Sequence, residues 1–144
     1  MATGNSGGPP AAGPRLKLMI LDTNIVIYAC QPGGEWLAPW TAHPDAAIAS
    51  VTRIETLGYA GISTEEETAI LDFIHSSPIY ALDDEVIEQA IHLRKQKKMK
   101  LGDAIIAATA VAYGIPLVTR NEDDFKHIAG LDLRNPFVIV PAAR

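Results

Sequence analysis

Four short motifs carry carboxylates at positions where a chain can bring them together. Asp22 stands in Leu18-Met19-Ile20-Leu21-Asp22-Thr23-Asn24, and Glu55 in Val51-Thr52-Arg53-Ile54-Glu55. Asp103 stands in Leu101-Gly102-Asp103-Ala104-Ile105-Ile106, and Asp123 and Asp124 in Leu117-Val118-Thr119-Arg120-Asn121-Glu122-Asp123-Asp124-Phe125. Each acid ends an apolar run or lies in the opening turns of a helix, which is where side chains from distant segments converge in α/β proteins. Gathered carboxylates repel one another, so a site that collects several of them generally holds a hard, oxygen-preferring cation such as Mg²⁺.

Each acid has a simpler reading beside this one. Asp22 follows an apolar strand directly; it either caps the next helix or is a buried carboxylate that needs a cation or hydrogen-bond donors. Asp103 opens a small-residue helix, as a dipole partner or as a group aimed into a cleft. Glu55 lies within a short helix and could be a surface residue. Asp123 and Asp124 could start the turn that contains Phe125, while Thr119 could donate its hydroxyl to an acid. Arg94, Lys95, Lys97, Lys98 and Lys100 make five of the twelve basic residues and fall within seven positions just before Asp103. That run is either a solvated helix end or a grip on a phosphate backbone, with Arg120 and Lys126 as further contacts.

The elements that must position these residues alternate. Lys17 to Leu21 is a continuous apolar run, the pattern of a strand buried on both faces of a parallel sheet. A helix is expected from Thr23 to Ala29, broken by Gln31-Pro32-Gly33-Gly34, then a short helix from Glu35 to Thr41. Ala47 to Ser50 is the second strand, followed by a helix that carries the apolar residues Ile54, Leu57 and Tyr59 towards Gly61. Ser63 and Glu66 form a capping box before Ala69, Ile70, Phe73 and Ile74. Pro78 to Leu82 is the third strand. Asp83 caps a helix whose apolar positions are Val86, Ile87, Ala90, Ile91 and Leu93. Asp103 to Tyr113 is a buried helix stopped by Gly114. Ile115 to Thr119 is the fourth strand, Asp123 to Ile128 a short helix, and Phe137 to Val140 a final strand. The alternation predicts a three-layer α/β/α architecture around a mainly parallel sheet of four or five strands.

Composition narrows the function. The 144 residues are 48% hydrophobic and 20% charged, enough for one folded domain over 16–144. Residues 1–15, rich in Gly, Pro, Ala and Ser, read as a flexible leader without the apolar block of a signal peptide. A net charge of −5 argues against a generally basic nucleic-acid binder, apart from the local run before Asp103. The single cysteine, Cys30, cannot form an internal disulfide, which fits a reducing, cytoplasmic setting. No apolar run approaches the length of a membrane span.

Taken in order, the motifs resemble those of a PIN domain of the VapC-type toxin group, over about Leu16 to Phe137. Leu21-Asp22-Thr23-Asn24 resembles the family's opening D-T-N motif, and Glu55 matches its Glu after a short strand. Gly102-Asp103-Ala104-Ile105-Ile106-Ala107-Ala108 is similar to its D-x-x-I-A-A motif, and Leu117-Val118-Thr119-Arg120-Asn121 with Asp124-Phe125 resembles its fourth. The resemblance implies a ribonuclease that cleaves RNA with water activated by Mg²⁺ or Mn²⁺. Asp22 and Asp103 are then the principal metal ligands, joined by Glu55 and Asp124, with Thr23, Asn24, Thr119 and Asn121 in support. Lys97, Lys98, Lys100 and Arg120 are candidates for RNA contact. Many PIN domains carry an Asp where this chain has Asn121, so Asn121 and Asp124 compete for the fourth position. A cognate antitoxin and a homodimer are implied as partners. Two other enzyme classes with a strand-end Asp are disfavoured: dehalogenase-type phosphatases need a second Asp where Asn24 stands, and receiver domains need an acidic pair after the first strand. A PIN fold that only binds RNA or protein is the non-catalytic alternative.

Overall fold

The computed structural model describes residues 18–138. The leader over 1–15 lies outside them. β1 (Met19–Leu21) is buried along its whole length. It is the central strand, with parallel neighbours on both sides: Met19 is in register with Ala46 and Ile20 with Ala47 on one side, and Ile20 with Leu117 and Leu21 with Val118 on the other. A strand flanked and covered in this way has no solvated face, hence its continuous apolar run.

α1 (Thr23–Cys30) leaves β1 directly. A 3-10 turn at Glu35–Leu37 and α2 (Ala38–Thr41) lead to β2 (Ala46–Ala49). α3 (Ser50–Leu57) follows without a loop, then α4 (Thr64–His75), whose capping box joins Ser63 and Glu66 in both directions. β3 (Ile79–Tyr80), α5 (Asp84–Gln96), α6 (Leu101–Tyr113), β4 (Leu117–Val118) and β5 (Leu133–Arg134) complete the order. Gly114 ends α6 in the left-handed conformation at φ 64°, as a C-terminal glycine can without strain.

All five strands are parallel, in the order β3-β2-β1-β4-β5. The chain thus runs outward from β1 to one edge, returns, and runs outward to the other. The reversal falls between β1 and β4, and in open α/β sheets the crevice outside the carboxyl ends at such a point is where ligands bind. Side chains alternate across the sheet to form two cores. Ile20, Ala47 and Leu117 meet α5, α6 and Phe125 on one face. Met19, Leu21, Ile48 and Val118 meet α1 and α4 on the other. The result is the three-layer arrangement expected from the sequence. No helix among the described residues is long and apolar enough to cross a membrane.

Four local expectations need correction. The last strand is Leu133–Arg134, not Phe137 to Val140: Phe137 and Val138 lie in a turn, and 139–140 are outside the described residues. Only Leu133 of that edge pair is half-buried, so a single apolar position marks it. α3 turns Thr52 and Thr56 inward, leaving Ile54 72% and Tyr59 62% exposed. α5 buries Val86, Ala90 and Leu93 but exposes Ile87 and Ile91. Finally, the short helix expected over Asp123 to Ile128 is a 3-10 turn at Glu122–Asp124.

Candidate active site

Asp22 sits at the carboxyl end of β1 and is 4% exposed. Its backbone occupies the N-cap position of α1, but its side chain makes no cap hydrogen bond. The carboxylate Oδ2 instead accepts a hydrogen bond from Thr119 Oγ1 at 2.8 Å. Thr119 follows β4, so this bond ties together the two strand ends at the topological reversal. Thr119 is fully buried, and its Oγ1 in turn accepts the Asn121 backbone N–H at 3.0 Å, which fixes the start of the loop after β4. Burial pushes the Asp22 carboxyl up to about 6; the Thr119 hydroxyl opposes this, and the charges of Asp103 and Glu55 add to it.

Glu55 lies on α3 and is exposed, yet it is held in place. Its Oε1 accepts from Thr23 Oγ1 at 2.6 Å. Thr23 Oγ1 also lies 2.9 Å from Thr52 Oγ1. Thr23 has one hydroxyl proton and donates it to Glu55, so Thr52 is the donor in that second bond. The hydrogen-bond chain from Thr52 through Thr23 to the Glu55 carboxylate connects α3 to the first turn of α1. From the other side, the first turn of α6 closes in: a Cβ on Gly102 would stand only 2.2 Å from Glu55 Oε2. Glycine at this position is what lets α6 approach the Glu55 carboxylate.

Asp103 is half-buried in the first turn of α6, two residues beyond the helix's opening Leu101. Its carboxyl is raised, first by desolvation and then by the charges of Asp124 and Glu55; Lys100 pulls the other way. Of the three consecutive acids after β4, Glu122 accepts from Asn135 Nδ2 at 2.9 Å and Asp123 pairs with Lys126 at 2.9 Å. Asp124, exposed, is the one whose charge bears on Asp103. Asn121 engages through its backbone, and its side chain caps nothing. Asn24 is exposed on α1. Asp22, Glu55 and Asp103 therefore share one electrostatic environment, and Asp124 joins it through Asp103. Among the described residues no three Asp, Glu, His or Cys side chains are grouped tightly enough to form a ready metal cage.

A family model for the PIN domain matches residues 19–131. A ribonuclease VapC of Rickettsia bellii is 30% identical over 126 residues, covering 80% of this chain and 93% of that protein. The chain belongs to the VapC-type PIN-domain family. Ribonuclease VapC1 of Rickettsia felis is 28% identical to this PIN domain over the same length, with the same coverage. Among solved structures, a toxin-antitoxin complex from Klebsiella pneumoniae contains a chain that superimposes with a TM-score of 0.67 at 30% identity, covering 84% of this chain and 99% of that one.

The basic residues of this PIN domain fall into two groups. Lys97, Lys98 and Lys100 are exposed in the junction between α5 and α6, and none of them forms an ion pair with another described residue. Lys100 is close enough to Asp103 to affect its titration. Arg120 is also exposed, but its guanidinium lies on aromatic rings, 4.4 Å from the centroid of Phe137 and 5.5 Å from that of Tyr28. Sequence reasoning assigned no part to Thr52 or Gly102. Thr52 lies three residues before Glu55, on the same helix face, and a glycine inside the first turn of an otherwise strong helix marks a close approach.

Proposed function

We propose that this PIN domain is an endoribonuclease that hydrolyses RNA phosphodiester bonds with Mg²⁺ or Mn²⁺, and that it is the toxin of a toxin-antitoxin pair. One observation carries the reading: carboxylates from the end of β1, from α3 and from α6 share a single electrostatic environment at the topological reversal, and Asp22 and Asp103 are both raised by burial and by neighbouring carboxylates. Nearby positive charge would relieve that repulsion. The donors are all oxygens, and among the described residues Asp22 receives one side-chain hydrogen bond, so the residues fit a hard divalent cation. Asp22 and Asp103 would hold it, with Glu55 and either Asp124 or Asn121 completing the set. A cation bound there supplies a more acidic water and offsets charge on the departing oxygen.

The chain's own residues supply the positioning. Thr119 fixes Oδ2 of Asp22, and Thr23 fixes Oε1 of Glu55, so each carboxylate is held in one orientation. Lys97, Lys98 and Lys100 offer charge to the RNA backbone beside an acidic site that would otherwise repel it. The similarity to proteins named ribonuclease VapC supports RNA as substrate, and the similarity to a chain from a toxin-antitoxin complex supports an antitoxin partner. A homodimer and a cytoplasmic location belong to the same reading; the free, half-buried Cys30 is compatible with that location.

RNA cleavage assayed with Mg²⁺, with Mn²⁺ and with EDTA tests the proposal. Cleavage should require the cation and vanish in Asp22→Asn and in Asp103→Asn while both variants stay folded. Full activity in either variant overturns the site. Calorimetric titration with Mn²⁺ addresses the non-catalytic alternative: a protein that only binds RNA or a partner would show no Mn²⁺ site that depends on Asp103.

A further inference from the structure

Arg120 directly follows Thr119, the residue that holds Asp22. It has no carboxylate partner among the described residues. Its guanidinium instead covers Phe137 at 4.4 Å. Phe137 meets Tyr28 edge-on at 5.2 Å and Trp36 edge-on at 4.8 Å between ring centroids. The base of this cluster is pinned: Asn135 Nδ2 donates to the Arg120 carbonyl at 3.2 Å and to Glu122 Oε2 at 2.9 Å, and Asn135 Oδ1 accepts the Phe137 N–H at 2.9 Å. Yet the cluster is not core. Trp36 remains 50% exposed, and Arg120 is exposed as well. The molecule therefore presents an exposed guanidinium plane stacked on Phe137 and an exposed Trp36 ring set edge-on to it, tied down at the base by Asn135, with Arg120 one residue along the chain from Thr119.

Every nucleobase has a π face, and aromatic rings and arginine planes take unpaired bases by stacking without regard to sequence. The guanidinium adds charge that favours the adjoining phosphates. We propose that Arg120, Phe137 and Trp36 form a stacking platform for one unpaired base of single-stranded RNA, holding the strand beside the acidic cleft; this rests on the ribonuclease reading above. An acidic site in a chain of net charge −5 gains little from long-range attraction of RNA, so a short-range grip of this kind has a clear role.

The test is binding of a short, labelled, single-stranded oligoribonucleotide to the full chain carrying Asp22→Asn, followed by fluorescence anisotropy. Arg120→Lys keeps the charge and removes the flat face; Trp36→Ala removes an exposed ring. Each should weaken binding about tenfold with an unchanged melting temperature. An oligomer of the same length with abasic sites should bind the parent and both variants alike. Equal binding of the normal oligomer by parent and variants overturns the proposal, and so does an equal loss with the abasic oligomer; the cluster then only clamps the segment after β5 or serves a protein partner. Wild-type cleavage measured in parallel separates the two failures. RNA cleaved without dependence of binding on the platform overturns the platform alone, whereas neither cleavage nor binding overturns both readings.

Discussion

Asp22 is a carboxylate that the fold keeps from water, and its carboxyl is pushed from 3.8 up to about 6, chiefly by desolvation. The direction sets how stability depends on pH. Below about pH 4 the folded and unfolded chains both carry the proton. Between about 4 and 6 only the folded chain holds it, so stability falls as pH rises; above 6 the folded state bears the whole penalty of a buried charge, at most about 3 kcal/mol. Without a cation, Asp22→Asn should therefore melt several degrees above the parent at pH 7.5, with the difference disappearing near pH 4. Added Mg²⁺ should raise the melting temperature of the parent at pH 7.5 and leave the variant unmoved. Thermal melts followed by circular dichroism decide this independently of any activity; a variant less stable than the parent at neutral pH would contradict it. The residues behind this behaviour were legible in part. The Asp22 and Asp103 positions follow from strand ends and helix starts, and a Thr119 hydroxyl donated to an acid was foreseeable from the same motif. The hydroxyl relay through Thr52 was not, because a threonine looks alike in sequence whether it faces solvent or a partner.

At the level of elements, the site depends on how closely α6 approaches α3. Gly102→Ala should leave the fold as stable as before, since alanine is a better helix former than glycine and the atoms it meets are the end of an exposed side chain, Glu55, that can move aside. The displaced carboxylate should leave Thr23, and RNA cleavage should fall roughly ten- to a hundredfold. Combining Gly102→Ala with Glu55→Asp, a shorter acid, should recover part of that loss in a cleavage assay. An unimpaired Gly102→Ala enzyme would remove Glu55 from the chemistry. This same pair of helices shows where sequence patterns mislead. α3 is an eight-residue helix that turns Thr52 to the Thr23 hydroxyl and lets Thr56 bond its own helix carbonyl, so both threonines are buried and Ile54 is not. Apolar periodicity assumes an apolar neighbour, and beside the Thr23 hydroxyl that assumption fails. The parallel sheet was legible because strands covered on both faces must be apolar throughout; β5 was not, because an edge strand of two residues needs little hydrophobic surface.

For the whole molecule, net charge and local charge point in opposite directions, and the local pattern should control RNA binding. Lys97→Glu with Lys98→Glu should weaken affinity for single-stranded RNA and lower the slope of log affinity against log salt by up to about 1.4, at about 0.7 per phosphate contact. Affinity and slope unchanged from the parent would make the run a solvated helix end. Ile87 and Ile91, 38% and 45% exposed and four residues apart on α5, are the surface to examine for self-association. Ile87→Glu with Ile91→Glu should shift a dimer towards monomer in light scattering coupled to size exclusion, with little change in folding; a dimer that persists places the contact elsewhere. The hydrogen bond between Thr119 and Asp22 spans 97 positions of the chain. Local contacts form early in folding and such distant ones late, after the costly closure of a long loop. A ribosome synthesising this chain thus releases Asp22 long before the partner that completes its surroundings. An incomplete chain carries the acids without the strand end that holds Asp22, so the surroundings of Asp22 assemble only once Thr119 has been made.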